Sequence, residues 1–397
     1  MKVITKLSLA LVTMLSLTTM NAYAVIDPAA SSVMLRTSCG SVSGGTLDNC
    51  FDDPTALMNW IKATRNPSAG DSLVVEIAPG VYPRIQWLCQ PGEGHVSFRG
   101  AGRGRTVFEN NLILSNAMTF QNCEDLTFDS MTIKAHFISV VWAGHGNATW
   151  TDVELIGGYS TWYETPAGQL SSGAVCTSGP NNEHKFFSSS LTLKDPYFQS
   201  FMYLNHCGIT WFYGSELIID APDATANGAL TGIISEGEGH EVHLYGSNIR
   251  LFTGAGSMAT EMVTFNSKNS GSIHIHGTGI DNISERDIPI TILKASDGGH
   301  IHANESAYVV RVGSGGSITR IDNDGGYVSA PYMWGSVPNT DGNHATIDTN
   351  FFTVNGADQA MVTTGTSDGY PHPAVYSDSC PGSARWYDTV DKTCRAQ

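Results

Sequence analysis

The stretch "EVHLYGSNI" (241–249) alternates polar and apolar residues, breaks at a Gly-Ser pair and resumes on Ile249. A period of two marks a strand with one buried face. The same design recurs in "ITWFYGSELI" (209–218), "SIHIHGTGI" (272–280) and "HIHANESAY" (300–308). Aligned on the residue at the break, it extends to eight anchors: Gly100, Ser130, Asp152, Ser188, Gly214, Gly246, Gly277 and Glu305. Two places before the anchor stand Phe98, Phe128, Trp150, Phe186, Phe212, Leu244, Ile275 and Ala303. Three places after it stand Arg103, Ile133, Leu155, Leu191, Leu217, Ile249, Ile280 and Tyr308. Twelve places before it stand Leu88, Met118, Val140, Cys176, Met202, Ile234, Phe265 and Leu293, a column that is apolar throughout and plays no part in the alignment.

Self-similarity at this period means stacked units that bury a common core. Each unit reads as three short strands: A around the twelve-before column, B before the anchor, C after it. Polar turns such as "GHGN", "EGEGHE" and "DGGH" separate A from B, two residues separate B from C, and the variation in length is expected between C and the next A. Two-residue hairpin turns of the Asn-Gly or Asp-Gly kind are scarce, which argues against an antiparallel sandwich. The expected fold is all-β, a single-stranded parallel β-helix of about eight or more coils. "DDPTALMNWIKATRN" (52–66) has a Pro near its start and Leu57, Trp60 and Ile61 on one face, a short amphipathic helix suited to capping the open first coil.

"GDSLVVEIAPGVYPRI" (70–85) and "HVSFRGAGRGRTVF" (95–108) closely resemble the entry segment of the pectin-lyase-like superfamily of right-handed parallel β-helices. The resemblance covers 55–330 at fold level. It implies a right-handed coil, and a groove on the sheet built from strand A, where that superfamily acts on polysaccharides. The remaining segments are 1–24, 25–54 and 331–397, the last a compact cap in which Cys380 and Cys394 are expected to pair.

Lys2 and Lys6, the apolar run from Leu7 to Met20 and "NAYA" (21–24) make a secretory signal, expected to be cut after Ala24. The protein is thus expected to be secreted or periplasmic, with no membrane insertion. Export makes the eight Cys candidates for disulfides. Cys39 with Cys50 is a local pair, whereas the pairing of Cys89, Cys123, Cys176 and Cys207 stays open, and no spacing matches a zinc module. A formal charge of −16 excludes nucleic acid as a partner, and a uronate polymer would need a local basic patch or a bridging cation.

Reading up strand A and its turn brings Tyr203, Asn205 and His206 onto one coil, Glu236 and Glu238 onto the next, then Lys268, then Lys294 with Asp297. β-Elimination on a uronate needs its carboxylate neutralised, a base at the C5 proton and an acid for the leaving oxygen. Lys268 or Lys294 suits the base, and His206 or Tyr203 the acid or relay. Asn205, Glu236 and Glu238 offer oxygens suited to Ca²⁺. That set is similar to one superfamily family of alginate and dermatan-type lyases, which holds calcium with an Asn on one coil and a Glu-x-Glu on the next. Here no Lys follows at that family's short spacing and no Arg stands in the paired role. A glycoside hydrolase using carboxylates among Glu236, Glu238, Asp297 and Glu164 is the enzymatic alternative.

The non-enzymatic alternative is a binding or adhesin-type β-helix. Strand B turns Lys185, Trp211, His243, His274 and His302 outward, beside Phe187, Tyr213, Tyr245 and His276. Such rings either stack sugars or stabilise neighbouring strands. Trp162 and Tyr163 in "GYSTWYETP" (158–166) are placed in the longest corner insertion, as a groove wall. "HEVH" (240–243) is one residue short of a zincin motif and lies in a strand, and His274 with His276 has no identifiable third ligand.

Overall fold

The computed structural model describes residues 30–40, 49–64, 72–89, 95–165, 182–194, 200–223, 227–311, 318–338 and 344–352, with isolated positions and short strands besides. The segment expected to be a secretory signal and Cys380, of the expected Cys380–Cys394 pair, lie outside the described residues.

Strand A recurs as Ile85–Leu88, Met118–Gln121, Ile138–Ala143, Ser160–Thr165, Ser200–Asn205, Ala229–Glu236, Glu261–Lys268, Ile290–Ser296 and Ile318–Asp324, hydrogen-bonded in that order into one nine-stranded sheet, sheet A. Sheet B stacks Leu73–Ile77, Val96–Arg99 and, further on, Asn182–Phe187, Gly208–Tyr213, Glu241–Tyr245, Ser272–His276 and His300–Asn304. Sheet C stacks Gly80–Tyr82, Thr106–Asn110, Ser190–Lys194, Glu216–Ala221, Asn248–Thr253, Gly279–Ser284 and Ala307–Arg311. Leu126–Ala135 and Gly146–Gly157 bend through the anchor and serve both B and C. Neighbouring coils pair in parallel throughout, which is the predicted β-helix.

The anchors fall into register one above another. Seven of the eight adopt the left-handed backbone region, with φ from 48° at Ser188 to 56° at Ser130 and Gly277. That kink turns the chain from B to C in a single residue, and explains why Gly, Ser, Asp or Glu sits there and no β-branched residue does. The following Ser or Thr is buried. The Ser189, Ser215 and Ser247 hydroxyls accept the N–H of Val153, Ser189 and Ser215, at 3.2–3.3 Å. A hydroxyl after the anchor thus ties each corner to the next coil and satisfies a buried donor.

The column two before the anchor is the spine of the core. Phe98, Phe128, Trp150, Phe186 and Phe212 stack with centroids 5.1, 4.0, 5.7 and 4.8 Å apart, each pair adding about 0.5–1.5 kcal/mol beyond burial. The three-after column holds from Ile133 to Tyr308. On the first coil Phe108, not Arg103, fills that place, because the turn carrying Arg103 lengthens the corner; Arg103 instead pairs with Asp152 at 2.8 Å.

Strand A departs from the expected register. Its inward column is Ile85, Met118, Val140, Trp162, Tyr203, Ile233, Phe265, Leu293 and Ile321. Met118, Val140, Phe265 and Leu293 were anticipated, but Tyr203 replaces Met202, Ile233 replaces Ile234 and Ile85 replaces Leu88; Cys176 lies outside the described residues. Two consecutive residues face inward here, as at Met202–Tyr203 and Ile292–Leu293, so alternation skips a beat. The A-to-B turn also varies: Tyr203 stands 11 residues before its anchor and Ile233 stands 13 before its own. Along the chain, 166–181 lie between Ser160–Thr165 and Asn182–Phe187, outside the described residues.

Helix Pro54–Thr64 closes the first coil, with Asp53 capping the Thr55 N–H at 2.8 Å and Leu57, Met58 and Ile61 buried in the common core. The solenoid begins earlier than residue 55 and runs past 330. Ser32–Leu35 pairs in parallel with Leu73–Ile77, and Tyr327–Pro338 pairs in parallel with the last coil before turning antiparallel against His344–Phe352. Disulfides join Cys39 to Cys50 and Cys89 to Cys123, and Cys207 is also disulfide-bonded.

Candidate functional site

Side-chain parity on sheet A decides what can meet. Asn205 registers with Ser235, so His206 stands beside Glu236, and Glu236 registers with Lys268. These three form one outward column over three successive coils. Lys294 belongs to the neighbouring outward column, after Leu204, Ile234 and Asn266 and before Asp322.

Glu236 is the hub of the column. His206 Nε2 lies 3.0 Å and Lys268 Nζ 2.9 Å from its Oε2, and Asn269 donates to its Oε1 at 2.6 Å. Asn269 was not anticipated; its φ of 50°, a turn conformation Asn tolerates, is the local signal. The Lys268 side chain is 33% exposed, whereas His206 is 2% exposed and lies beneath the cluster. Lys294 Nζ is 3.0 Å from Asp322. Burial pushes the Glu236 carboxyl up, but hydrogen bonds from His206 and Lys268 and the Lys268 charge outweigh it, holding its pKa at about 2.

A carboxyl with a folded pKa near 2 and an ordinary value of 4.5 binds fewer protons folded than unfolded between those pH values. Its stabilisation is complete above about pH 4.5 and is lost as pH falls toward 2, up to roughly 3 kcal/mol. Urea midpoints for wild type and Glu236→Gln are therefore expected to differ most at pH 6 and to converge near pH 2. A gap that persists unchanged at pH 2 would contradict this.

The other residues singled out on strand A are not brought to this face. Tyr203 is fully buried in the core, bonded to Thr210, and burial followed by the Glu164 charge raises its pKa well above that of an ordinary phenol, so it is no acid. Asn205 also points inward. Its amide donates to the Gly208 and Glu241 carbonyls, and its oxygen accepts from the Cys207 and Gly208 N–H groups. Asn205 and Glu236 thus lie on opposite faces of one sheet, and Glu238 is exposed in the turn beyond. This set does not fit a calcium cage: the Asn205 oxygen is consumed by backbone N–H groups on the inner face, and Glu236 is already held by His206, Lys268 and Asn269 on the outer one.

Trp162 is core, and Tyr163, though outward, is 4% exposed in a small apolar cluster with Val141 and Leu204. Neither forms a groove wall. Glu164 points into the solenoid and is fully buried, 3.0 Å from His184 Nε2 and bonded by Asn182 at 3.1 Å. Burial raises its pKa, but His184 and Asn182 hold the carboxyl below the usual range. It cannot serve a substrate outside the coil.

On sheet B, Trp211 stacks on His243 at 4.0 Å, His243 on His274 at 4.4 Å, Tyr213 on Tyr245 at 5.4 Å and Tyr245 on His276 at 4.9 Å, all within 13° of parallel. Their faces cover one another along the solenoid axis and their edges project. Sugars stack on ring faces, so Tyr213, Tyr245, His243 and His274 are placed as strand-stabilising ladders. A polar cleft of about 310 Å³, lined by His95, Asp125, Asn147, Glu183 and Lys185 among others, lies toward the N-terminal end of this sheet, away from the Glu236 column.

No protein-family model and no curated protein matches the chain. Among solved structures, the pectin methylesterase PemA from Erwinia chrysanthemi is similar at 12% identity over 80% of this chain and 85% of that one, with a TM-score of 0.39. The pectate lyase Pel9A is 11% identical over 74% and 79%, with a TM-score of 0.42. A pectin methylesterase from Yersinia enterocolitica is 10% identical over 75% and 86%, with a TM-score of 0.34. Likenesses at this level carry no argument. The strand register by itself establishes the parallel β-helix expected from the repeat.

Proposed function

We propose that this is an exported, polysaccharide-active β-helix protein whose sheet A face takes a uronate-containing chain and cleaves it by β-elimination. The contact of His206, Glu236 and Lys268 on three successive coils carries the reading. Glu236 stays ionised above about pH 2, so it serves as the fixed anion that orients the other two groups and not as a proton donor. Lys268 is the exposed member; in this reading the substrate displaces it from Glu236, its ammonium gives a proton to solvent, and the amine then takes the C5 proton. The C4–O bond then breaks, a C4=C5 double bond forms, and a solvent water protonates the leaving oxygen, while His206, beneath the cluster, positions Glu236. Lys294, in the adjacent column, is placed to meet the substrate carboxylate in exchange for Asp322. The anion-neutralising role falls to these side chains, with no step through calcium.

Unsaturated ends absorb in the ultraviolet, so absorbance is expected to rise when the protein meets one polymer in a panel of alginate, pectate and glycosaminoglycans. Lys268→Ala should lower that rate by at least about 100-fold, while Tyr245→Ala leaves it within about twofold and chelator leaves it unchanged. New reducing ends without absorbance would transfer the site to hydrolysis. Binding without any product, surviving Lys268→Ala, would transfer the protein to the adhesin class.

A further inference from the structure

The His-rich face of sheet B carries a second, separate constellation. Glu241 and His243 are two residues apart on one strand and so share its outward face, and His274 registers directly with His243 on the next coil. His243 Nε2 lies 2.8 Å from Glu241 Oε2. One donor atom from each of Glu241, His243 and His274 lies within 4.8 Å of the other two. His243 is 8% exposed, and its Nδ1 is buried with no hydrogen-bond partner among the described residues. The nitrogen that faces Glu241 is Nε2, so an ion shared with Glu241 would engage Nε2 and leave Nδ1 as it is.

We propose that Glu241, His243 and His274 form a binding site for a first-row divalent transition metal, with Zn²⁺ the natural occupant. Two imidazoles and one carboxylate are the donors that suit zinc and its neighbours, whereas calcium and magnesium prefer all-oxygen cages. An imidazole's lone pair lies in its ring plane, and these two rings are stacked 5° from parallel. They cannot both aim at one ion as they stand, so loading tilts His274, the more exposed ring, out of the ladder. The site is complete only across two coils, which is why "HEVH" and the His274–His276 pair are each inconclusive in the sequence.

The test is equilibrium dialysis and calorimetric titration of the untagged, disulfide-intact full chain with Zn²⁺ alone at pH 7.5. One equivalent is expected to bind and to raise the melting temperature. His274→Ala and the near-isosteric Glu241→Gln should each weaken that equivalent more than about tenfold. His276→Ala, on the same strand but in the neighbouring ladder, should retain it, as should Glu236→Gln on sheet A. Wild-type stoichiometry in Glu241→Gln and His274→Ala, equal loss in His276→Ala, or no saturable binding by wild type would each overturn the site. Binding is read without turnover, so the outcome is independent of the proposed lyase activity.

Discussion

Glu164→Ala is expected to lower the unfolding free energy by about 3–5 kcal/mol, measured by urea denaturation at pH 7. Glu164 and His184 are both fully buried, and His184 is wedged edge-on between Trp142 and Trp162, with ring centroids 4.7 and 4.8 Å away. Removing the carboxylate leaves a buried imidazole beside a cavity, and Asn182 loses the acceptor of its amide. A buried pair is costly to break but gives little net stability compared with apolar replacements of similar size. The double variant Glu164→Leu/His184→Leu should therefore recover more than half of the loss. A single variant within about 0.5 kcal/mol of wild type would mean that the pair is not desolvated as the structure has it.

The second large effect is expected at Gly146, at the start of the strand that follows the corner after Ile138–Ala143. Its φ is +142°, a conformation disfavoured for residues with a side chain, and an added Cβ would lie 1.5 Å from the Cys123 carbonyl oxygen. That oxygen belongs to backbone pinned by the Cys89–Cys123 disulfide, so it cannot simply retreat. Gly146→Ala should destabilise by more than about 3 kcal/mol, combining backbone strain with the clash. Gly104→Ala is the control: its φ is +69°, yet nothing lies within 4 Å of its Cβ, so only the strain contribution should appear. Equal melting temperatures for the two variants would show that close approach is not what selects glycine at 146.

Both predictions concern the A-to-B corner, where the sequence was least legible. Strands B and C could be read because their spacing is rigid: a single left-handed residue joins them, so an insertion would displace every inward side chain. The strand A column was correct at Met118, Val140, Phe265 and Leu293, where 12 residues separate it from the anchor, and slipped where the spacing differs, to 11 at Tyr203, 13 at Ile233 and 15 at Ile85. A slip of one residue exchanges the faces of the sheet. It is why Asn205 looked like a partner of Glu236 and is in fact interior, why Tyr203 is core, and why Ile234 is partly exposed while Ile233 is buried.

Sequence alone therefore determined the class of fold, the anchor at each corner, the aromatic spine and the helix that closes the first coil. All of these follow from local rules: alternation, a residue tolerant of positive φ, an amphipathic period. Only the tertiary structure decided which ionisable groups meet. Contacts in a solenoid run between coils, some 30 residues apart in the chain, and depend on register to the single residue. Thus His206, Glu236 and Lys268 became one cluster, Glu164 found His184 inside the coil, and Glu241 and His243 acquired His274 as a third donor.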